Sequence, residues 1–177
     1  MWPVTSTETK YANNWMSVRE DRVVRPDGTP GIFGVMTVRN ASVFVVALTE
    51  DECVWMVEVD RHTVGPSLEV PSGGSDGQEP LVAAQRELAE ETGLVAEHWR
   101  KIGEMDALNG ICEAPEHVFL ATGLSSAATD LVEPDAEGIT SARPIPWTEA
   151  LSMVAHGEIR DGETIAALMF AAIAKGC

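Results

Sequence analysis

Apolar and polar residues follow strand-like patterns in the middle of the chain. Residues 41–48 are almost continuously apolar, which predicts a strand buried on both faces. A second strand is predicted over residues 53–61, and the short acidic turn between the two runs predicts a hairpin. Two further strands are predicted at residues 102–105 and 117–122.

Three other segments have the spacing of apolar residues that is typical of helices. The first helix is predicted to begin near Glu79 and to end at Gly93, because glycine favours a left-handed cap. Two more helices are predicted at residues 147–156 and 163–175. The first helix carries an apolar stripe that can face a core, formed by Leu81, Ala84 and Leu88.

The N-terminal part of the chain has the pattern of a β-ribbon. Residues 17–25 and 31–38 are strand candidates, and Asp27-Gly28 between them is a hairpin signal. An isolated hairpin is only marginally stable in water. We therefore expect this ribbon to pack on the main domain or on another subunit.

Composition sets limits on the class of protein. The chain has 177 residues, 45% of them hydrophobic, and its mean hydropathy is −0.01, all of which is typical of one globular domain. Its 28 acidic and 12 basic residues give a net charge of −16. Such a protein repels phosphate backbones, so we expect no nucleic-acid partner. An anionic small substrate would need local help from arginine, lysine or a metal ion.

Cysteine usage and hydropathy favour a cytoplasmic protein without a membrane partner. Cys53, Cys112 and Cys177 fit neither a zinc site nor a disulfide framework, and unpaired thiols suit a reducing compartment. The N-terminus lacks the pattern of a signal peptide. The longest apolar run, residues 165–174, is too short to span a bilayer.

The first helix also carries an acidic face. Glu87, Glu90 and Glu91 are spaced at i, i+3 and i+4, so their carboxylates project from one side. Like charges at this spacing repel, and a hard divalent cation such as Mg²⁺ or Mn²⁺ would remove that repulsion. Arg86 precedes Glu90 by four residues and can pair with it. The alternative is a solvated acidic face without a ligand.

The residues around this face form a longer motif, which has two parts. A glycine-rich loop reads Pro71-Ser72-Gly73-Gly74-Ser75-Asp76-Gly77-Gln78-Glu79. The end of the helix reads Arg86-Glu87-Leu88-Ala89-Glu90-Glu91-Thr92-Gly93-Leu94. Together they resemble the signature box of the Nudix hydrolases, whose second half is matched at every fixed position. In the first half the loop is one residue short, so either Gln78 or Glu79 stands in the position of the first glutamate of the box.

The resemblance implies a fold, a cofactor and a reaction. The fold is an α/β Nudix type, a mixed sheet sandwiched between helices, with an N-terminal β-ribbon at residues 1–39 and the Nudix domain at residues 40–177. Mg²⁺ or Mn²⁺ would be held by Glu87, Glu90 and Glu91. The reaction would be hydrolysis of a nucleoside diphosphate linked to another group, in which Glu91 and Arg86 also count as catalytic residues.

Within that family the chain looks most like the ADP-ribose pyrophosphatase branch, whose N-terminal ribbon takes part in a homodimer. The alternative is a ribbon that packs only within its own chain. By the same resemblance Arg61, Gly73 and Gly74 are candidate substrate contacts, although Arg61 can also be an ordinary surface residue. The branch places a water-activating glutamate in an acidic loop, where Glu137 matches best.

Asp135 and Glu133 are the next candidates for that base. Glu113 and Glu116 are possible ligands, although exposed acids are commoner in such loops. The substrate expected first is ADP-ribose, giving AMP and ribose 5-phosphate. The alternatives are a nucleotide sugar, a nucleoside triphosphate, or a non-catalytic module that binds nucleotides.

Overall fold

The computed structural model describes residues 1–127 and 138–176. The helices are α1 (Pro80–Thr92), α2 (Trp147–Ala155) and α3 (Gly162–Lys175). The first strands are β1 (Val4–Ala12), β2 (Met16–Val24), β3 (Pro30–Val38), β4 (Ser42–Ala47), β5 (Cys53–Arg61) and β6 (Gly65–Glu69). The remaining strands are β7 (Ser72–Gly74), β8 (Leu94–Asp106), β9 (Cys112–Glu113), β10 (Pro115–Ser126) and β11 (Ile139–Pro146).

A mixed sheet of order β7-β4-β10-β8 lies at the centre of the fold. Strands β4 and β10 run parallel, and the outer pairs are antiparallel. Alternate residues of β4 face opposite sides. Val43 and Val45 pack against Leu88 of α1, whereas Phe44 packs on the side of Leu168 in α3. The continuous apolar run therefore reflects burial on both faces, and the expected mixed sheet between helices is confirmed.

The predicted hairpin between β4 and β5 is wrong. A turn connects the two strands, but a single bridge between Leu48 and Val54 is all that joins them among the described residues. Strand β4 already pairs with β7 and β10, whereas β5 pairs with β6 and β11 in a separate sheet. Both edges of each strand are thus taken by other partners, which a local turn signal does not reveal.

The N-terminal ribbon contains one strand more than its sequence pattern indicates. The predicted β2–β3 hairpin is present, and β1 adds a third antiparallel strand beside β2. All nine residues of β1 are exposed, so it has no apolar alternation that would identify a strand. On the other side, β3 pairs in parallel with β9, which connects the ribbon to the rest of the chain.

One local expectation needs correction. Leu81 was placed on the apolar stripe of α1 but is 40% exposed, because Ala83 and Ala84 face the core instead. Pro144 lies within β11 and pairs with Trp55. Strand β11 is at the edge of its sheet, where the missing N–H of proline is tolerated. No helix in the described ranges is long and apolar enough to cross a membrane.

Candidate active site

Helix α1 buries part of its acidic face. The helix has Pro80 in its first turn and ends at Gly93, whose φ of 69° forms the expected left-handed cap. Glu87 and Glu91 are only 3% and 5% exposed. Burying two carboxylates is costly unless donors compensate their charge. The solvated acidic face considered as the alternative therefore does not describe these two residues.

Arg86 supplies much of this compensation. Its Nη1 lies 2.8 Å from Glu90 Oε2, as the spacing of the two residues predicts, and its Nη2 lies 2.7 Å from Glu87 Oε1. Nη2 also donates to the carbonyl of Gly74 at 2.8 Å. Burial disfavours the charged guanidinium, but Glu87 and Glu90 outweigh that effect and raise the pKa of Arg86. One side chain therefore joins the helix to the glycine-rich segment.

That glycine-rich segment forms the short strand β7 and lies directly against the acids. The backbone N–H of Ser72 donates to Glu91 Oε2 at 2.9 Å. A Cβ atom at Gly73 would lie 2.2 Å from Glu87 Oε1, so only glycine allows this approach. These two contacts explain why the motif needs both a glycine and a helix of fixed register.

The structure also distinguishes the two candidates in the shortened loop. Gln78 Oε1 accepts a hydrogen bond from Arg86 Nε at 3.3 Å, so its side chain joins the network of the acidic face. Glu79 precedes the first turn of α1, and its side chain makes no capping hydrogen bond. Of the two candidates, Gln78 is therefore the residue whose side chain contacts Arg86.

The residues present suit a divalent cation that prefers oxygen ligands. Glu87, Glu90 and Glu91 bring three carboxylates to one end of α1, and Gly73 lets the Glu87 carboxylate lie against β7. Within residues 1–127 and 138–176, however, no three acidic, histidine or cysteine side chains already converge as a metal site. In this structure Arg86 contacts Glu87 and Glu90, and the N–H of Ser72 donates to Glu91.

A cavity of about 1150 Å³ opens beside these residues. All three predicted substrate contacts line it: Arg61, Gly73 and Gly74. Arg61 forms a two-pronged ion pair with the buried Glu69, at 3.1 and 2.6 Å. Hydrogen bonding to Glu69 raises the pKa of Arg61. Arg61 is therefore anchored at the cavity wall, rather than free at a strand end.

Other lining residues were not assigned to the site from the sequence. Trp15, in the turn before β2, is 75% exposed and contributes an aromatic surface. Arg160, Asp161 and Glu163 lie at the start of α3, in a junction that sequence patterns describe only as a helix stop and a new start. Of these lining residues, Trp15 is the one that a local sequence feature indicates, because it is a tryptophan beside a polar turn.

Glu113 and Glu116 have very different environments. Glu113 accepts two hydrogen bonds from Arg19, at 2.6 and 2.8 Å, and a third from Thr37. Arg19, followed by Thr37, lowers the pKa of Glu113 to about 2. Glu113 thus connects β9 to the ribbon, whereas Glu116 is 5% exposed and lines the cavity. The expectation of an exposed loop acid is wrong for Glu116.

The three candidates for the water-activating base lie outside the described residues, namely Glu133, Asp135 and Glu137. The described chain resumes at Gly138, whose carbonyl accepts a hydrogen bond from the N–H of Asp60 at 2.9 Å. Asp60 directly precedes Arg61 in β5. The residue that follows Glu137 is therefore close to the strand that carries Arg61.

Comparison with known proteins identifies the fold and the motif together. Residues 38–168 match the NUDIX domain, and residues 2–36 match the nucleoside diphosphate sugar hydrolase N-terminal domain. The chain belongs to the Nudix family. It is a Nudix hydrolase, and members of the family generally use a divalent metal ion.

Curated relatives cover most of this Nudix chain. It is 33% identical to the ADP-ribose pyrophosphatase of Mycobacterium tuberculosis (strain ATCC 25618 / H37Rv) over 171 residues, which are 93% of this chain and 80% of that protein. Identity to the ADP-ribose pyrophosphatase of Bacillus subtilis (strain 168) is 31%, covering 73% and 70% of the two chains. The GDP-mannose pyrophosphatase of Escherichia coli O1:K1 / APEC is 30% identical over 63% of this chain and 59% of its own.

A solved structure described as an ADP compounds hydrolase has the same fold. It superimposes with a TM-score of 0.83 at 16% identity, covering 96% of this chain and 91% of that one. At this identity the match concerns the fold alone. The agreement includes the N-terminal strands, since nearly the whole Nudix chain is covered.

Proposed function

We propose that this Nudix hydrolase cleaves the diphosphate bond of a nucleoside diphosphate sugar, with ADP-ribose as its first substrate and AMP and ribose 5-phosphate as products. The observation that carries the proposal is the contact of Arg86 and Glu87 with the Gly73–Gly74 segment at the wall of a large cavity. The names of the relatives, which act on ADP-ribose or GDP-mannose, support a sugar as the second group.

The chemistry of the cavity supports an extended anionic substrate. Its volume is about 1150 Å³, at or above the upper end of the roughly 300–1,000 Å³ typical of small-molecule sites. Arg61, Arg86 and Arg160 contribute positive charge in a protein whose net charge is −16. The ring of Trp15 offers a surface on which a base can stack.

The proposed reaction gives each candidate residue a catalytic role. Glu87, Glu90 and Glu91 would hold the divalent ion, Mg²⁺ or Mn²⁺. Such an ion neutralises diphosphate charge and lowers the pKa of water. Arg86 keeps the Glu87 and Glu90 carboxylates in place, while Arg61, which also lines the cavity, binds substrate. Glu137 takes the proton from the attacking water, with Asp135 and Glu133 as its alternatives.

A direct assay tests this proposal. The full-length chain with Mg²⁺ is offered ADP-ribose, GDP-mannose and a nucleoside triphosphate, and the products are separated by ion-exchange chromatography. AMP and ribose 5-phosphate in equal amounts support the proposal. Preference for GDP-mannose keeps the chemistry and changes the sugar. Nucleotide binding without turnover of any compound contradicts the enzyme and favours a binding module.

The ribbon also supports a homodimer. All nine residues of β1 are exposed in one chain, and β1 forms the free edge of its sheet. A long exposed edge strand is a surface that proteins normally cover. Light scattering at micromolar concentration is expected to give twice the chain mass of 19.0 kDa. A monomer would contradict the dimer but not the reaction.

We also propose a cytoplasmic location, which is supported by the unpaired cysteines.

A further inference from the structure

Glu116 is a buried acid that the proposed reaction does not use. It is 5% exposed, and its Oε2 atom has no hydrogen-bond partner among the described residues. An unpaired buried polar atom costs free energy that a protein normally avoids, so each case calls for an explanation. Glu116 also forms part of the wall of the catalytic cavity.

Strand register places Glu116 level with the glycine-rich segment. Ser42 pairs with Gly74 on one side and with Glu116 on the other, so the three residues form one row across the sheet. Side chains two residues apart in a strand share a face. Val118 packs in the core on the side of α3, so Glu116 faces the same side, at the end nearest the start of α3.

The start of α3 adds two more acids to this end of the cavity. Asp161 caps the helix by accepting a hydrogen bond from the N–H of Thr164 at 2.7 Å, and Glu163 lies in the first turn. No lysine or arginine in the described ranges forms an ion pair with Glu116, Asp161 or Glu163. Burial first, then Glu163, Asp161 and Asp106, raises the pKa of Glu116 to about 7.

These observations distinguish between kinds of ligand. A divalent cation would need several converging oxygen ligands, whereas the Asp161 carboxylate already caps α3 by accepting the N–H of Thr164. A base would need a stacking surface, which Trp15 offers elsewhere in the wall. A hydroxyl group both donates and accepts hydrogen bonds, so it can pair with a carboxyl group in either protonation state. The terminal torsion of glutamate is broad, so either oxygen can turn toward a ligand.

We infer that Glu116 is a specificity-determining residue, and that its buried carboxyl group hydrogen-bonds a hydroxyl of the sugar attached to the diphosphate. The inference rests on the proposed function, because it takes the substrate to be a nucleoside diphosphate sugar. The row from Gly74 through Ser42 to Glu116 places this carboxyl group two strands away from the glycine-rich segment, with β4 between them. Binding of the sugar then satisfies the Glu116 oxygen that has no partner among the described residues.

The test compares two substrates that differ only in the sugar. ADP-ribose carries it, whereas the methyl ester of ADP has the same nucleoside and diphosphate without it. Steady-state kinetics with Mg²⁺ are measured for the wild type, Glu116→Gln, Glu116→Leu and the control Glu97→Gln, whose side chain is 75% exposed. Glu116→Leu is expected to lower kcat/KM for ADP-ribose by about 10- to 100-fold. It should change kcat/KM for the methyl ester by less than about threefold.

Several results would overturn the inference. An equal loss on both substrates would show a structural role, and no loss on either would show that the sugar does not contact Glu116. Glu116→Gln should lose less than Glu116→Leu, because an amide still forms hydrogen bonds. Melting temperatures of all variants separate unfolding from loss of recognition.

Binding measurements keep the inference separate from the proposed reaction. If the wild type hydrolyses neither compound, the reaction fails, and calorimetric titration of the two compounds decides about Glu116. Tighter binding of ADP-ribose than of the methyl ester, abolished in Glu116→Leu, would support the inference. Equal affinities would overturn it.

Discussion

Two groups of acids contribute to the same cavity, one through Glu87 on α1 and the other through Glu116 near α3, and they differ in how their charge is compensated. On α1, Glu87 and Glu90 pair with Arg86, and Glu91 accepts from the N–H of Ser72. On β10, close to Asp161 and Glu163 at the start of α3, Glu116 has an oxygen without a hydrogen-bond partner among the described residues. The first group is held in place before any ligand arrives, whereas Glu116 depends on a ligand to become satisfied. This preorganisation suits the α1 acids for a role in catalysis, whereas Glu116 is suited to recognise the substrate.

This comparison predicts opposite signs for substitutions in the two groups. Removing the Arg86 side chain, which compensates the charge of the α1 acids, should destabilise the protein. Filling the space beside Gly73, where the Glu87 carboxylate lies, should destabilise it as well. Removing an uncompensated acid at the α3 end should stabilise it. The variants below follow in order of decreasing expected effect on the free energy of unfolding.

The largest effect is expected for Arg86→Ala. This change leaves the carboxylate of Glu87, whose side chain is 4% exposed, without its arginine partner. Loss of one partner of a buried pair costs about 2–4 kcal/mol here, since Arg86 is itself partly exposed. Urea denaturation measures the loss, and Arg22→Ala, at an exposed arginine, is the control. Stability equal to the control would contradict the role given to Arg86.

Gly73→Ala should have the next largest effect. The new Cβ atom would meet Glu87 Oε1 at 2.2 Å, so the carboxylate must move away from β7. Overpacking of this kind costs about 1–3 kcal/mol, and hydrolytic activity should fall with it. Gly110→Ala is a matched control, because a Cβ atom there meets nothing within 4 Å. Equal behaviour of the two variants would show that Glu87 tolerates a different position.

Glu116→Gln should instead stabilise the protein, and the gain should depend on pH. The pKa of Glu116 is raised from 4.5 to about 7 by burial and by Glu163, Asp161 and Asp106. Between these values the folded state holds a proton that the unfolded state has released, so wild-type stability falls as pH rises through this window. We expect the variant to be about 1–2 kcal/mol more stable than wild type at pH 8 and equal at pH 4.

Chemical denaturation at the two pH values measures this difference. Glu97→Gln serves as the control, because its side chain is 75% exposed. A variant less stable than wild type at pH 8 would mean that Glu116 has a compensating partner in the free protein.

The smallest effect is expected for Glu113→Gln, which tests a compensated acid outside the cavity. Arg19 and Thr37 lower the pKa of Glu113 to about 2, so its contribution is present at neutral pH and is lost only as pH falls through that value. Half of the side chain is exposed, so the loss at pH 7 should be about 0.5–1 kcal/mol. Thermal melting at low and high salt should show the difference shrinking with ionic strength.

Local sequence patterns predicted α1 closely, from its beginning near Glu79 to its glycine cap at Gly93. They did so because capping, periodicity and the spacing of the acids depend on neighbours within one or two turns. The pairing of Arg86 with Glu90 belongs to the same class. The β2–β3 hairpin was equally accessible, because its turn residues and both strands are contiguous.

Features that depend on contacts between distant segments could not be predicted from local sequence patterns. The partners of β4 and β5 come from residues far along the chain, so the hairpin signal at their turn was misleading. Strand β1 lacks apolar alternation, and all nine of its residues are exposed in this structure. The burial of Glu116 depends on the packing of β10 against the start of α3, which no local pattern encodes.

The central claim is that the α1 acids support metal-dependent hydrolysis of a nucleoside diphosphate sugar. Its most direct test is the release of AMP and ribose 5-phosphate from ADP-ribose with Mg²⁺, by the wild type, Glu91→Gln and the exposed control Glu50→Gln. We predict equimolar products from wild type and control, and a loss of at least about 100-fold in Glu91→Gln with its fold retained. Wild-type activity in Glu91→Gln, or no turnover by the wild type of any nucleoside diphosphate sugar, would contradict the claim.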